Sequence, residues 1–209
     1  MGRLLKWNML YEYRIWPDAE DGFENALRQN FRVIGRERRT DDYLLPIHMA
    51  SAAFLPKIRG GKKFEIKQRI RSDSSGEVWR RIVSERFPLD PALQSVLEGI
   101  YGGVPLPARC LEAPVRLLAA LAPHVFVCRV IKNRTRLRSG ACKGEITTAG
   151  VFGKEALTIA LECRKPGPVA DFLRELPGPP PPNTDYGTWL RGQLRQRVSL
   201  SLVKKEVGR

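Results

Sequence analysis

An α+β fold whose two halves pair into one closed sheet is what this 209-residue sequence predicts. Three observations carry it. Strand patterns lie on both sides of a helical stretch at about 88–124, further helical segments flank them, and the most basic stretches alternate at the two-residue period of a strand. Residues 57–71, KIRGGKKFEIKQRIR, set seven basic side chains against Glu65 alone, and residues 129–144, RVIKNRTRLRSGACKG, set six against no acid. Together they hold +12 of the formal +14, leaving 23 basic and 21 acidic residues elsewhere. The charge is local.

Each element follows from its pattern. MLYEYRIW at 9–16 alternates, so it reads as a strand with Glu12 and Arg14 on one face and Tyr11, Tyr13 and Ile15 on the other. Residues 18–30 read as a helix with Phe23, Ala26 and Leu27 on one stripe. Residues 31–39 and 42–46 supply a strand pair or one bent strand, and 51–59 with 62–71 form a hairpin turning at Gly60-Gly61. Residues 78–87 add a strand. Asp90 before Pro91 predicts an N-cap with proline in the first turn, followed by Leu93, Val96, Leu97 and Ile100 at helical spacing. A second helix is expected at about 111–121, and strands return at 125–138, 141–148 and 157–164. After Lys165 come a short helix, a stiff proline-rich spacer at 177–183 and a last helix at 185–197. The division expected is a barrel body over 1–176, and a linker with a helical arm over 177–209 that docks on the body or on a protein partner.

Composition excludes several functions. No run approaches the roughly 18–20 apolar residues of a membrane span, and the opening MGRLLKWNML is too short and too weakly apolar for a secretory signal, so a cytoplasmic protein without membrane partners is expected. Cys110, Cys128, Cys142 and Cys163 are scattered, with only His48 and His124 to help, so reduced structural thiols are expected rather than zinc. Gly60-Gly61-Lys62 lacks the spacing of a phosphate loop.

The strand reading places Lys67, Arg69 and Arg71 on one face, and Lys132, Arg134 and Arg136 on one face of a later strand. Like charges on neighbouring strands repel unless an anion lies between them, and a polyphosphate or nucleic-acid backbone would serve. The alternative is a solvated face with counterions. Tyr13, Trp16 and Trp79 could stack on a base, or belong to the core or rim.

A Glu-bearing first strand, the segment Arg38-Arg39-Thr40-Asp41-Asp42-Tyr43-Leu44, a hairpin with Arg59, Glu65, Lys67 and Arg69, a Lys132-x-Arg134 strand and closing acidic strands around Glu145 and Glu162 together resemble the CYTH superfamily, the triphosphate tunnel metalloenzymes. The resemblance spans about 10–162. It implies an antiparallel, closed or nearly closed eight-stranded barrel with flanking helices, whose polar tunnel binds a triphosphate or nucleotide and cleaves a phosphoanhydride with Mg²⁺ or Mn²⁺. Such chemistry needs a cradle of cations, a metal clamp and a positioned water. Carried onto this chain, Arg14, Lys57, Arg59, Lys67, Arg69, Lys132, Arg134 and Arg136 would bind phosphate, with Arg71 and Arg129 as neighbours. Glu12, Lys67 and Arg69 would serve catalysis, and Glu12, Glu145 and Glu162 would hold metal. The chain departs from the family's E-x-E-x-K, because Leu10 stands where the first glutamate belongs, and Ala160 and Arg164 leave the closing E-x-E incomplete. Three readings follow: a metal-dependent triphosphatase, an inactive polyphosphate- or nucleotide-binding module or subunit of a complex, and a protein that holds RNA or other nucleic acid on an outer surface.

Overall fold

The two-residue alternation becomes an inside–outside alternation around a closed barrel. The computed structural model describes residues 9–18, 22–47, 53–73 and 76–207, with side chains to 197. The opening segment at 1–8, the expected helix start at 19–21, His48 and the strand start at 51–52 lie outside the described residues. The strands are β1 (Met9–Ile15), β2 (Arg32–Pro46), β3 (Phe54–Arg59), β4 (Lys63–Asp73), β5 (Gly76–Arg86), β6 (Val125–Ser139), β7 (Cys142–Val151) and β8 (Lys154–Cys163). Their order is β1-β5-β4-β3-β2-β6-β7-β8, and β8 pairs back onto β1. Every neighbouring pair is antiparallel. The two halves of the chain meet at two seams, β2 with β6 and β8 with β1.

Among the described residues five α-helices accompany the barrel: α1 (Gly22–Asn30), α2 (Leu93–Ile100), α3 (Pro114–Leu121), α4 (Gly167–Arg174) and α5 (Tyr186–Val207). On one flank α2 and α3 press Leu97, Ile100, Leu117 and Leu121 onto outward residues such as Ile58, Phe64, Ile66 and Val83. On another, α1 and α4 press Phe23, Leu27, Val169 and Phe172 onto Tyr13, Ile15, Ile159 and Leu161. The outside of the sheet is therefore the oily face over much of its circumference. That inversion leaves the charged alternate positions to face the axis.

Local chemistry explains where elements begin and end. Gly60 and Gly61 both take positive φ, 56° and 65°, and Lys62 N donates to Arg59 O at 3.1 Å, closing a tight turn within the three-residue loop between paired Arg59 and Lys63. β2 is one 15-residue strand rather than two, because Thr40, Asp41 and Asp42 continue the ladder to β6 and β3. The expected cap at Asp90 is corrected: its Oδ1 accepts from Ala92 N at 2.8 Å, capping a turn, and α2 begins only at Leu93. The expected helix at 111–121 is broken, since Pro114 lacks an N–H and holds Ala113 extended between a 3-10 turn at Ala108–Glu112 and α3. The thiol expectation also changes. Cys142 and Cys163 stand on adjacent strands and form a disulfide, while Cys110 and Cys128 are free and buried. No helix among the described residues is long and apolar enough to cross a membrane.

Candidate functional site

The barrel interior has two zones. At one end, inward Leu10, Tyr43, Leu45, Leu55, Trp79, Cys128, Val130, Ala149 and Val151 form an apolar cluster that receives Tyr186 and Leu190 of α5. Leu10, opposite Trp79 in the β1–β5 register, belongs to this apolar zone. The final helix thus stoppers the tunnel. Asp185 fixes its start: Oδ1 accepts from Gly187 N at 2.6 Å and Thr188 N at 3.1 Å, and Oδ2 accepts from Arg69 at 2.9 Å. Trp16 stacks on Trp189 with ring centroids 3.8 Å apart, so Trp16 anchors α5. Tyr13 packs on Phe23 outside the barrel.

Beyond the stopper lies a cavity of about 390 Å³ lined by ten cationic side chains and six carboxylates. Arg14 Nε lies 2.9 Å from Glu12 Oε1, and Lys67 Nζ bridges Glu12 Oε2 at 3.1 Å and Glu162 Oε2 at 3.4 Å. Arg134 pairs with Glu37 and Glu145, and Arg14 reaches Glu145 at 3.6 Å. Buried Asp41 is held by Arg39 at 2.7 Å and Lys132 at 3.2 Å. Glu65, 1% exposed, meets Lys57 at 3.1 Å, Arg59 at 3.0 Å and Arg81 at 3.7 Å. Arg136 and Lys143 stand exposed at the unstoppered end.

Burial and pairing act against each other in these groups. Burial alone would raise Glu12, but Lys67 and Arg14 bring its carboxyl down to about 2. Glu145 is likewise held well below the usual range, because Arg14, Arg134 and Lys132 outweigh its desolvation. Desolvation wins at Lys132, pushing its ammonium well below the ordinary lysine range despite Asp41. Lys57 moves the same way. Glu77 is the exception among the carboxylates: burial, then Asp185 and Glu12, raise it to about 8, against the hydrogen bond from Trp79 and the charge of Arg69.

The Glu77 shift gives a pH prediction. Its folded value lies above its unfolded one, so the native state holds a proton that the unfolded chain releases. The associated stability is complete below the unfolded value near 4.5 and is lost as pH climbs through about 8. Melting curves from pH 5 to 9 should show Glu77→Gln retaining stability that the parent loses across this window. Parallel curves would contradict it.

The sequence-derived residues largely converge. Arg14, Lys57, Arg59, Lys67, Lys132, Arg134 and Arg136, with Glu12, Glu145 and Glu162, all line the one cavity. Arg69 stands apart at the base of α5, paired with Glu77 at 3.3 Å and Asp185. Arg71 pairs with Asp73 in the open, and Arg129 pairs with Asp42, its side chain 68% exposed. Sequence reasoning missed Glu37, Arg81, Lys143, Asp185 and Tyr186 as lining residues, and took Arg39 and Tyr43 only as parts of a motif. Glu37, Arg39, Asp41 and Tyr43 carry the same two-residue period as the strands that were read for charge, so that signal was present.

Glu12, Glu145 and Glu162 do not fit a divalent cation as they stand. Their oxygens already receive Arg14 and Lys67, Arg14 and Arg134, and Lys67 and Lys143 respectively. Among the described residues no three His, Cys, Asp or Glu side chains converge as a metal site.

No family model matches the chain, and no curated protein matches it. Among solved structures it is similar to the PH1819 protein of Pyrococcus horikoshii OT3, with a TM-score of 0.51 and 15% identity, covering 88% of this chain and 99% of that one. It also aligns with the PH1012 protein of the same organism, at TM-score 0.48 and 14% identity over 79% of this chain and 88% of that one. A protein described as a "putative adenylate cyclase" from Bacillus halodurans aligns at TM-score 0.46 and 12% identity, over 80% of this chain and 88% of that one. The first of these likenesses concerns the fold.

Proposed function

We propose that the tunnel binds a linear triphosphate-containing anion through its own arginines and lysines, as a divergent CYTH-like binding module. The observation that carries this is the imbalance of the lining, ten cations against six carboxylates around about 390 Å³. That volume falls within the roughly 300–1,000 Å³ of small-ligand pockets. A second observation points the same way. Arg134 Nε is a buried donor with no hydrogen-bond partner among the described residues, which calls for an acceptor-rich guest. Phosphate oxygens are such acceptors, and guanidinium groups grip them in pairs.

Binding by this route exchanges partners. Phosphate oxygens take over arginine and lysine contacts that Glu12, Glu37, Glu65, Glu145 and Glu162 hold in the free tunnel. Phosphoanhydride cleavage with Mg²⁺ or Mn²⁺ would need those same glutamates to turn from the cations to a metal.

The test is thermal denaturation with tripolyphosphate, ATP, orthophosphate or a short RNA, each with EDTA and with Mg²⁺ or Mn²⁺, alongside an assay of phosphate release. Tripolyphosphate in EDTA should raise Tm; at about 100 times Kd the gain is about 2.7 kcal/mol, roughly 5–11 °C for a chain of this size. No phosphate should appear. A metal-dependent release would restore the triphosphatase reading. A shift with RNA alone, erased by modest salt, would move the ligand to the outer surface.

A further inference from the structure

We infer that Tyr186 is a ligand-contacting residue, so that α5 completes the binding site as well as closing the tunnel. The inference rests on the polyanion reading above and concerns one atom, the Tyr186 hydroxyl.

The ring of Tyr186 has an evident packing role. It lies near-parallel to Tyr43 with centroids 5.3 Å apart and 18° between planes, and it meets the edge of Trp16 at 4.9 Å. Lys132 Nζ stands 3.7 Å from its centroid and Arg14 Cζ 4.6 Å, close enough for cation–π attraction. All of this a phenylalanine would supply. The hydroxyl is the surplus. Tyr186 is 5% exposed, and its Oη is buried with no hydrogen-bond partner among the described residues. Tyr43, by contrast, is satisfied, its hydroxyl receiving Lys132 Nζ at 2.7 Å.

An unsatisfied buried hydroxyl destabilises the fold, so its presence needs a reason. The cavity provides one, because Tyr186 lines it together with Arg14, Arg134 and Glu145. Burial holds the phenol above its usual titration range, which keeps it protonated and able to donate. A phosphate oxygen at the stoppered end of the tunnel accepts that proton in a charge-assisted hydrogen bond. Because Asp185 ties the start of α5 to Arg69, the donor comes with the docked helix, and ligand binding and helix docking must strengthen each other reciprocally.

Tyr186→Phe separates this role from packing. Calorimetric titration of tripolyphosphate should show binding weakened about 10- to 100-fold, the range of one hydrogen bond to a charged group. The ligand-free Tm should stay equal or rise. In parallel, tripolyphosphate should protect the 177–183 spacer from protease in the parent and protect it less in the variant at equal concentration. Affinity within twofold of the parent would overturn the inference while leaving the polyanion reading intact. A lower ligand-free Tm with unchanged affinity would also overturn it, assigning the hydroxyl to the fold. If the parent binds no polyphosphate, the polyanion reading falls and this inference with it.

Discussion

Glu65→Gln should lower the Tm of the ligand-free protein by roughly 6–20 °C, and tripolyphosphate should recover much of the loss. Glu65 is buried at the centre of Lys57, Arg59 and Arg81. Burial alone would raise its carboxyl, yet these cations and Lys67 hold it far below the usual range. Removing its charge leaves three cations facing one another, and breaking a buried pair in this way costs about 3–5 kcal/mol, which sets the Tm estimate. A polyanion in the tunnel supplies the missing negative charge. The ligand-induced rise in Tm should therefore be larger in the variant than in the parent. An equal or smaller rise would argue that the ligand does not reach Glu65's partners.

Leu190→Asp should release α5 from the barrel. Leu190 is fully buried in the apolar cluster with Leu55, Trp79 and Val151, where a carboxylate would have no water. The cost of keeping the helix in place includes the lost packing, about 2–5 kcal/mol for a buried leucine, and the desolvation of a charge. Undocking is the cheaper outcome. It separates Trp189 from Trp16, so tryptophan emission should shift to the red, and protease should cut the 177–183 spacer faster. Tripolyphosphate affinity should fall as well. A variant with the parent's Tm and emission would show that the barrel stands independently of α5.

The barrel was legible because its charges and apolar residues alternate cleanly. On β1, Glu12 and Arg14 face the axis while Tyr13 and Ile15 face the flanking helices, as the period-two reading of 9–16 expects. The pattern at 31–46 left Thr40 and Asp41 between two strand segments, open to a strand pair or one bent strand, and the structure makes it one strand. Inside this barrel polarity marks the inner face, and Asp41 is fully buried between Arg39 and Lys132. The disulfide was invisible for another reason: Cys142 and Cys163 are 21 residues apart and become neighbours only through the β7–β8 register. Tyr186 and Asp185 follow a proline-rich spacer, and no local pattern says which end of a barrel the next helix will enter. Arg69 shows the converse, since it keeps the spacing of Lys67 but meets Asp185 instead of the cavity.

The two seams of the barrel impose an order on its assembly. Strands β1 to β5 are contiguous neighbours, so they can zip together early, but they form an open sheet with β1 at one margin and the 15-residue β2 at the other. Neither margin gains its second partner until β6 and β8 exist, after the helical excursion of α2 and α3. Such long-range pairing is slow, and a long unpaired strand invites partners from other chains. An amino-terminal fragment ending before Val125 would therefore expose both margins and aggregate, and during synthesis the nascent chain must pass through this half-built state before it can close.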